Sequence, residues 1–416
     1  GLGLLDGVDL RYVAYVLDEA YERLRDVYVS SSVLGPVRLY AAGDRVDGEF
    51  WALFCALLDF QVSVPRVLNP MLVGLVKYME GCGLRFVDLV FDVRLARRVF
   101  HGFEWVSGGG VRRGFTHRFV GVDDLVSLLR VFRRIMDEHG SLGDFVRGVY
   151  GEGVGEAEPM ERVLRAFVSL LVECGGRPRL VPVRFGSALK RLNLFMRWMV
   201  RPYPDLGLWR FIDKRHLLVS LDEGLRRVLS RVFQADVRVS WRGVLEATRL
   251  LRAVNPDDPV KYDYLLSRLS IMGYCAKQRD RSRCYLCPVA GVCGSSNVPV
   301  APRVRPLRGR ESAIFEEFLR VYGGEVDGVV TEYPLGSYSA DALIHMRDCS
   351  EYIVEVEHEL NYTAIGQVVT YRYLYFKKHG KPVKPMIVCK KAPQTLREVS
   401  EREQGIRVVE VGSLSS

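Results

Sequence analysis

The sequence predicts a multidomain protein: a mostly α-helical part over residues 1–293 that carries a metal-binding loop, a linker over 294–307, and an α/β part over 308–416. Three observations predict it. Apolar residues recur at three-and-four spacing in segment after segment as far as Cys293, the period that lays one face of a helix on a core. Four cysteines crowd into the end of that region. The run GSSNVPVAPRVRPLRGR after them has no hydrophobic period, and strand-like alternation then appears among helices.

Taken in order, DLRYVAYVLDEAYERLRDVY, EFWALFCALLDFQV, DDLVSLLRVFRRIMDEHG and MERVLRAFVSLLVECGG each carry the amphipathic helix pattern. Between the second and third, HGFEWVSGGGVRRGFTHRF is rich in glycine and aromatics and predicts a hairpin or an ordered loop. In NPDDPVKYDYLLSRL, Pro259 suits an early helix position, with Asp257 or Asp258 as its cap. Past the linker, ESAIFEEFLRVYGG reads as a helix, VVTEYPL, YSADALIHM and EYIVEVEHEL as strands, NYTAIGQVVTYRYLYFKKHG as a helix, and PMIVCKK and IRVVEVG as closing strands.

Hydrophobic residues make up 48% of 416, enough for two or three packed cores. No apolar run of about twenty residues predicts a membrane span, and GLGLLDG at the start is not the apolar core of a secretory signal. Lys+Arg 59 against Asp+Glu 50 leaves a net charge of +9, which favours a polyanionic partner. Arginine supplies 48 of the 59, a bias that a GC-rich genome or a hot, thermophilic habitat also produces. Cys55, Cys82, Cys174, Cys349 and Cys389 are scattered among mostly apolar neighbours, as reduced thiols are, and the expected location is cytoplasmic and nucleoid-associated.

Cys275, Cys284, Cys287 and Cys293 are spaced C-x8-C-x2-C-x5-C. Four thiolates on one short loop suit a 4Fe-4S cubane cluster, where each sulfur takes a different iron corner. Zinc is the competing reading, although zinc sites more often come as two C-x2-C knuckles; a disulfide pair is the third. Arg279, Arg281 and Arg283 thread the loop and suit phosphate contact.

Lys190 is the only lysine between Tyr78 and Ile212, in a chain that otherwise uses arginine for positive charge. An ammonium can lose a proton and attack carbon, which a guanidinium cannot, so a lysine kept here suggests chemistry; a surface lysine on an amphipathic helix is the plain alternative. Asp222 follows at the end of an apolar, strand-like run, with Glu223 beside it as a weaker candidate. The order G-x-x-x-K-x-x-N, then Leu-Asp, then four cysteines, with the strings KRLNLFMRWMVR, DLGLW and NPDDPVKYDYLLSRL, resembles the endonuclease III branch of the helix-hairpin-helix DNA glycosylases over roughly residues 1–293. The resemblance implies Lys190 as nucleophile, Asp222 as the assisting carboxylate, and Gly186, Arg191 and Asn193 as nucleic-acid contacts. Two departures stand out: Phe185-Gly186-Ser187 replaces the superfamily's G-x-G hairpin, and Glu223-Gly224 follows Asp222 where Thr-His is usual. Trp198, Tyr203, Trp209 and Phe211 are candidates to stack on an extruded base.

In the α/β part, strand alternation puts Glu355, Glu357 and Glu359 on one face, with Asp341 in the preceding strand. With Gln367 and Tyr371 on the next helix, this resembles the restriction-endonuclease-like PD-(D/E)-x-K superfamily over about 308–412, with Glu357 in place of its lysine. The resemblance implies Asp341 and Glu355 as Mg2+ or Mn2+ ligands, with Glu357 as a third ligand or a base. A solvated strand face, or a domain kept only to hold DNA, is the plain alternative. Six of the eleven lysines lie between Lys377 and Lys391 and add phosphate-binding potential. The expected function is a DNA glycosylase/AP lyase acting on double-stranded DNA that holds a damaged or mismatched base. A metal-dependent structure-selective endonuclease and a non-catalytic DNA-binding adaptor are the alternatives.

Overall fold

The computed structural model describes residues 10–177, 179–182, 184–278, 284, 287–295, 307 and 309–412. The chain divides into two compact units, one of Asp26–Arg226 with Val237–Tyr264, the other of Gly1–Arg25, Arg227–Asp236 and Leu265–Ser416. The helical region expected over 1–293 is thus shared between them. The expected linker lies almost wholly outside the described residues.

Helices come in the order α1 (Leu10–Ser30), α2 (Leu34–Leu39), α3 (Arg45–Leu58), α4 (Asn69–Gly81), α5 (Phe86–Phe91), α6 (Val93–Gly102), α7 (Val122–His139), α8 (Leu142–Gly153), α9 (Pro159–Glu173), α10 (Lys190–Val200), α11 (Glu223–Phe233), α12 (Trp241–Val254) and α13 (Asp263–Ile271). The glycine-rich segment forms the hairpin of β1 (Glu104–Ser107) and β2 (Gly110–Arg113), as one of its two readings expects. At the centre of the first unit is α3, buried from Asp47 to Leu58. Its aromatic side packs Trp51 on Phe86 at 5.4 Å and Phe54 on Phe86 at 5.1 Å, large rings that remove much apolar area from water. Its two buried acids have partners: Asp47 accepts from Tyr40 OH at 2.6 Å and Val87 N at 2.9 Å, and Glu49 from Trp209 Nε1 at 2.7 Å.

The apolar segment EFWALFCALLDFQV is not helical throughout. α3 stops at Leu58, Asp59 is its C-cap, and Gln61 takes a left-handed φ of 47°. The run ending at Asp222 is likewise not a strand: residues 217–222 are irregular, with Leu217, Leu218, Val219 and Leu221 buried. Asp258 caps no helix, since α13 begins only at Asp263; instead its carboxylate takes Arg201 Nε at 2.9 Å and Nη2 at 2.8 Å.

In the second unit, α14 (Arg310–Tyr322) precedes a five-stranded sheet of β3 (Val326–Leu335), β4 (Tyr338–Met346), β5 (Glu351–Glu359), β6 (Lys384–Lys391) and β7 (Arg407–Glu410), in that spatial order. β3, β4 and β5 run antiparallel, while β5, β6 and β7 run parallel. Parallel neighbours need crossovers, and these are α15 (Tyr362–His379) and a helix the sequence reading omits, α16 (Gln394–Arg402). One sheet face packs on α15 through Ile353, Ile365 and Val368, and the other on α14 through Val354, Phe315 and Phe318. The first half of α1 joins this unit: Tyr12 packs on Tyr373 and Phe376, and Glu19 pairs with Arg372 at 2.9 Å.

Candidate functional site

Lys190 is the first residue of α10, entered through a left-handed Leu189 (φ 47°) and the exposed turn at Gly186 (φ 126°). Only a residue without Cβ adopts the Gly186 conformation without strain. Asp222 precedes α11 and caps it, its Oδ1 accepting from Leu225 N at 2.9 Å. The fold closes the thirty-two-residue gap between them: Lys190 Nζ lies 3.2 Å from Asp222 Oδ2 and 3.6 Å from Asp59 Oδ2. Burial works against the Lys190 charge, but the two carboxylates outweigh it, and the ammonium holds its proton more tightly than an ordinary lysine. Desolvation therefore does not make Lys190 a neutral amine; a proton has to be moved first.

The lysine side chain keeps 34% of its surface exposed, so a reactant can reach it. It opens into a cleft of about 420 Å³ lined by Asp59, Phe60, Ser187, Arg191 and Asp222. A wider groove of about 800 Å³ shares Phe60, Gln61 and Arg191 and adds His117, Arg118 and Arg179. Aromatic faces beside guanidinium groups suit nucleotides, by stacking and by charge. His117 fixes one wall. Its Nδ1 accepts from Phe119 N at 3.2 Å, leaving Nε2–H to donate to Leu58 O at 3.3 Å, while burial lowers its pKa and keeps it neutral.

Other predicted residues fall elsewhere. Arg191 donates to Leu57 O at 2.7 Å and Leu180 O at 2.9 Å and stacks on Phe60, so its guanidinium braces the α3 terminus. Asn193 is buried and donates to Ala188 O at 3.1 Å, bracing the turn before Lys190. Glu223 faces solvent, paired with Arg226 at 2.6 Å. Trp198 and Trp209 are core, with indole N–H groups donating to Tyr264 OH and Glu49. Phe211 lies under Arg147, and Tyr203 is exposed with its OH on Asp26. Asp59 is the functional candidate that sequence reasoning missed; an acid in an apolar helical run is its one trace.

In the second unit, Cys275, Cys284, Cys287 and Cys293 line one small cavity of about 30 Å³ with Val228, Val232 and other apolar side chains. Arg231 Nη1 sits 3.2 Å from Cys275 Sγ, and Arg227 Nε donates to Cys275 O at 3.0 Å. Burial pushes the Cys287 thiol well up. Among the described residues no three His, Cys, Asp or Glu side chains are placed to hold a metal ion. Arg279, Arg281 and Arg283 lie outside the described residues.

The β4–β5 register that pairs Ala342 with Val354 sets Asp341 level with Glu355, both buried. Asp341 Oδ2 accepts from Val356 N at 2.7 Å, so the carboxylate is bonded into the sheet. Glu357 is half-buried on the Glu355 side, and Gln367 donates to Tyr371 OH at 3.3 Å, both buried on α15. Among the described residues these acids do not form a group of three placed to hold a metal ion. Five of the six clustered lysines have partners: Lys378 on Pro334 O, Lys381 on Glu351, Lys390 on Glu317, Lys391 on Glu359, and Lys384 over the Tyr352 ring.

A family profile described as "Protein of unknown function (DUF2400)" matches residues 104–272. A search of curated proteins gives no match. Among solved structures, a repair endonuclease from Pyrococcus abyssi is similar at 16% identity and a TM-score of 0.21, over 25% of this chain and 48% of that one. A complex titled "Structure of EndoMS-dsDNA2 complex" is similar at 17% identity and 0.21, over 27% of this chain and 50% of that one. The chain thus spans about half the length of those structures, and at such scores the likeness carries no weight below.

Proposed function

We propose that the protein is a DNA glycosylase/AP lyase acting on double-stranded DNA with a damaged or mismatched base. The observation that supports it is the contact of Lys190 with Asp222 at 3.2 Å, at the mouth of a cleft bordered by aromatic and guanidinium groups. Departure of an extruded base leaves positive charge on the sugar, which the Asp222 carboxylate stabilises. Lys190, once deprotonated, attacks the anomeric carbon and forms a Schiff base. Borohydride trapping on an abasic duplex tests the reading. Wild type should give a covalent adduct, Lys190→Ala should give none, and Asp222→Asn should slow base release roughly hundredfold with DNA binding retained. An undiminished adduct in Lys190→Ala would sink it.

Four thiols lining one cavity support the reading of a 4Fe-4S cluster, which Cys275, Cys284, Cys287 and Cys293 would hold and whose negative charge Arg231 would partly offset. Such a group supplies structural cross-linking of its loop. Iron and sulfide of about four each per chain are expected on purification. Zinc in their place would overturn this assignment and leave the lyase reading intact. Asp341 and Glu355 carry no step of this reading.

A further inference from the structure

We propose that Asp59 is the proton shuttle of the Lys190 amine: it takes the ammonium proton before attack and returns it to the departing hydroxyl, a role that rests on the lyase reading above. An ammonium cannot attack carbon, so the proton on Lys190 has to leave the nitrogen, and two carboxylates lie close enough to take it. Their surroundings differ. Asp222 stands at the positive end of α11, where its Oδ1 is already taken by the amide of Leu225 and the carboxylate is placed to face developing positive charge. Asp59 stands at the opposite kind of terminus, the C-cap of α3, where backbone carbonyls point outward and the helix dipole is negative.

The neighbours of Asp59 fix it in place. Its own N–H is held by Ala56 O at 3.2 Å, the carbonyl of Leu57 is held by Arg191 and that of Leu58 by His117. The carboxylate itself keeps only 13% of its surface exposed and borders the cleft. A general acid or base has to be within hydrogen-bond reach of the atom it serves, directly or after small closure, and 3.6 Å is that range for a site without its substrate.

The step balances on an abasic aldehyde. A proton passes from Lys190 Nζ to Asp59 Oδ2, leaving the electron pair on nitrogen. That pair forms the N–C1′ bond as the carbonyl π pair moves to oxygen, and proton transfer from nitrogen to that oxygen gives a neutral carbinolamine. Asp59 then gives its proton to the hydroxyl, the C1′–O bond breaks, water leaves, and the nitrogen pair closes the iminium. Asp59 ends ionised, as it began.

The test is cyanoborohydride trapping by the full chain on an abasic duplex, with binding measured on a duplex carrying the non-aldehydic tetrahydrofuran analogue. Asp59→Asn should slow trapping roughly hundredfold while analogue binding stays within about twofold, and added acetate should restore part of the rate. Trapping as fast as wild type, or faster, overturns the shuttle: a carboxylate that merely held Lys190 charged would, when removed, leave burial to loosen the proton. An Asp59→Asn protein that no longer binds the analogue also overturns it, placing Asp59 in the architecture. Failure of the wild type to trap is a separate result, and it removes the lyase reading together with the shuttle.

Discussion

The Lys190 cleft and the Asp341–Glu355 face are both small sets of charged side chains drawn together from distant sequence, yet they differ in what surrounds the charge. At Lys190, opposite charges meet with a third of the lysine and of Asp222 still exposed, beside a cleft large enough for a nucleotide. On the sheet, two carboxyl groups lie buried, and Asp341 spends an oxygen on the neighbouring strand's amide. An exposed ammonium between two acids can exchange its proton with a substrate. A buried carboxylate bonded to a strand is part of how the strands are joined, because leaving Val356 N–H without an acceptor is costly.

This contrast can be broken at Asp341. Asp341→Ala removes the acceptor of a buried amide and should cost about 1–3 kcal/mol of stability, seen as a lower denaturation midpoint. Asp341→Asn keeps an acceptor oxygen and should cost much less. Neither should alter borohydride trapping by Lys190. Magnesium-dependent DNA cleavage by the full chain that disappears in Asp341→Asn would show that the sheet face is a second reaction centre, and the contrast drawn above would fail.

The two regions were also unequally legible in the sequence. Chemistry-bearing residues stood out where they broke a local habit: Lys190 in an arginine-rich stretch, four cysteines in one loop. Asp222 was preferred to Glu223 for its position after a buried run, and the fold turns Glu223 to solvent beside Arg226. Asp59 was hidden because EFWALFCALLDFQV satisfies the helical period to its end, while the helix stops at Leu58 for reasons that lie in tertiary contacts, the grip of Arg191 and His117 on its last carbonyls. Asn193 shows the opposite limit: three residues after Lys190 on a helix is close in sequence but faces the core. The sheet strands were legible through alternation, whereas α16 was missed because QTLREVSER offers almost no apolar stripe. Which acids of the sheet are hydrogen-bonded depends on strand register, which one-strand alternation does not contain.

Exposure also separates Lys190 from a second charged set in its own unit. Arg197 is buried against Asp205 at 3.5 Å and Asp263 at 3.6 Å, with Tyr264 under its guanidinium at 3.7 Å. Asp263 also accepts from Ser220 N at 3.2 Å, and the Ser220 hydroxyl donates to Lys190 O, so the set holds the approach to Asp222 in place. Burial raises the Asp263 pKa to about 6, with Arg197 only partly offsetting it. A raised carboxylate pKa means the folded chain binds the proton more tightly than the unfolded chain, whose value is near 3.8. Its contribution is therefore fully present below about pH 4 and is lost as pH climbs through about 6, at most about 3 kcal/mol from a shift of that size. Carboxylates with lowered values, such as Asp144 and Asp213, tilt the overall profile the other way, so the measurement is a difference. Denaturation of wild type and Asp263→Asn between pH 4 and 7 should show the variant gaining on wild type as pH rises through that window and running parallel above it. Parallel curves throughout would mean that Asp263 is already ionised beside Arg197 across the range, and that burial alone does not distinguish this set from the one around Lys190.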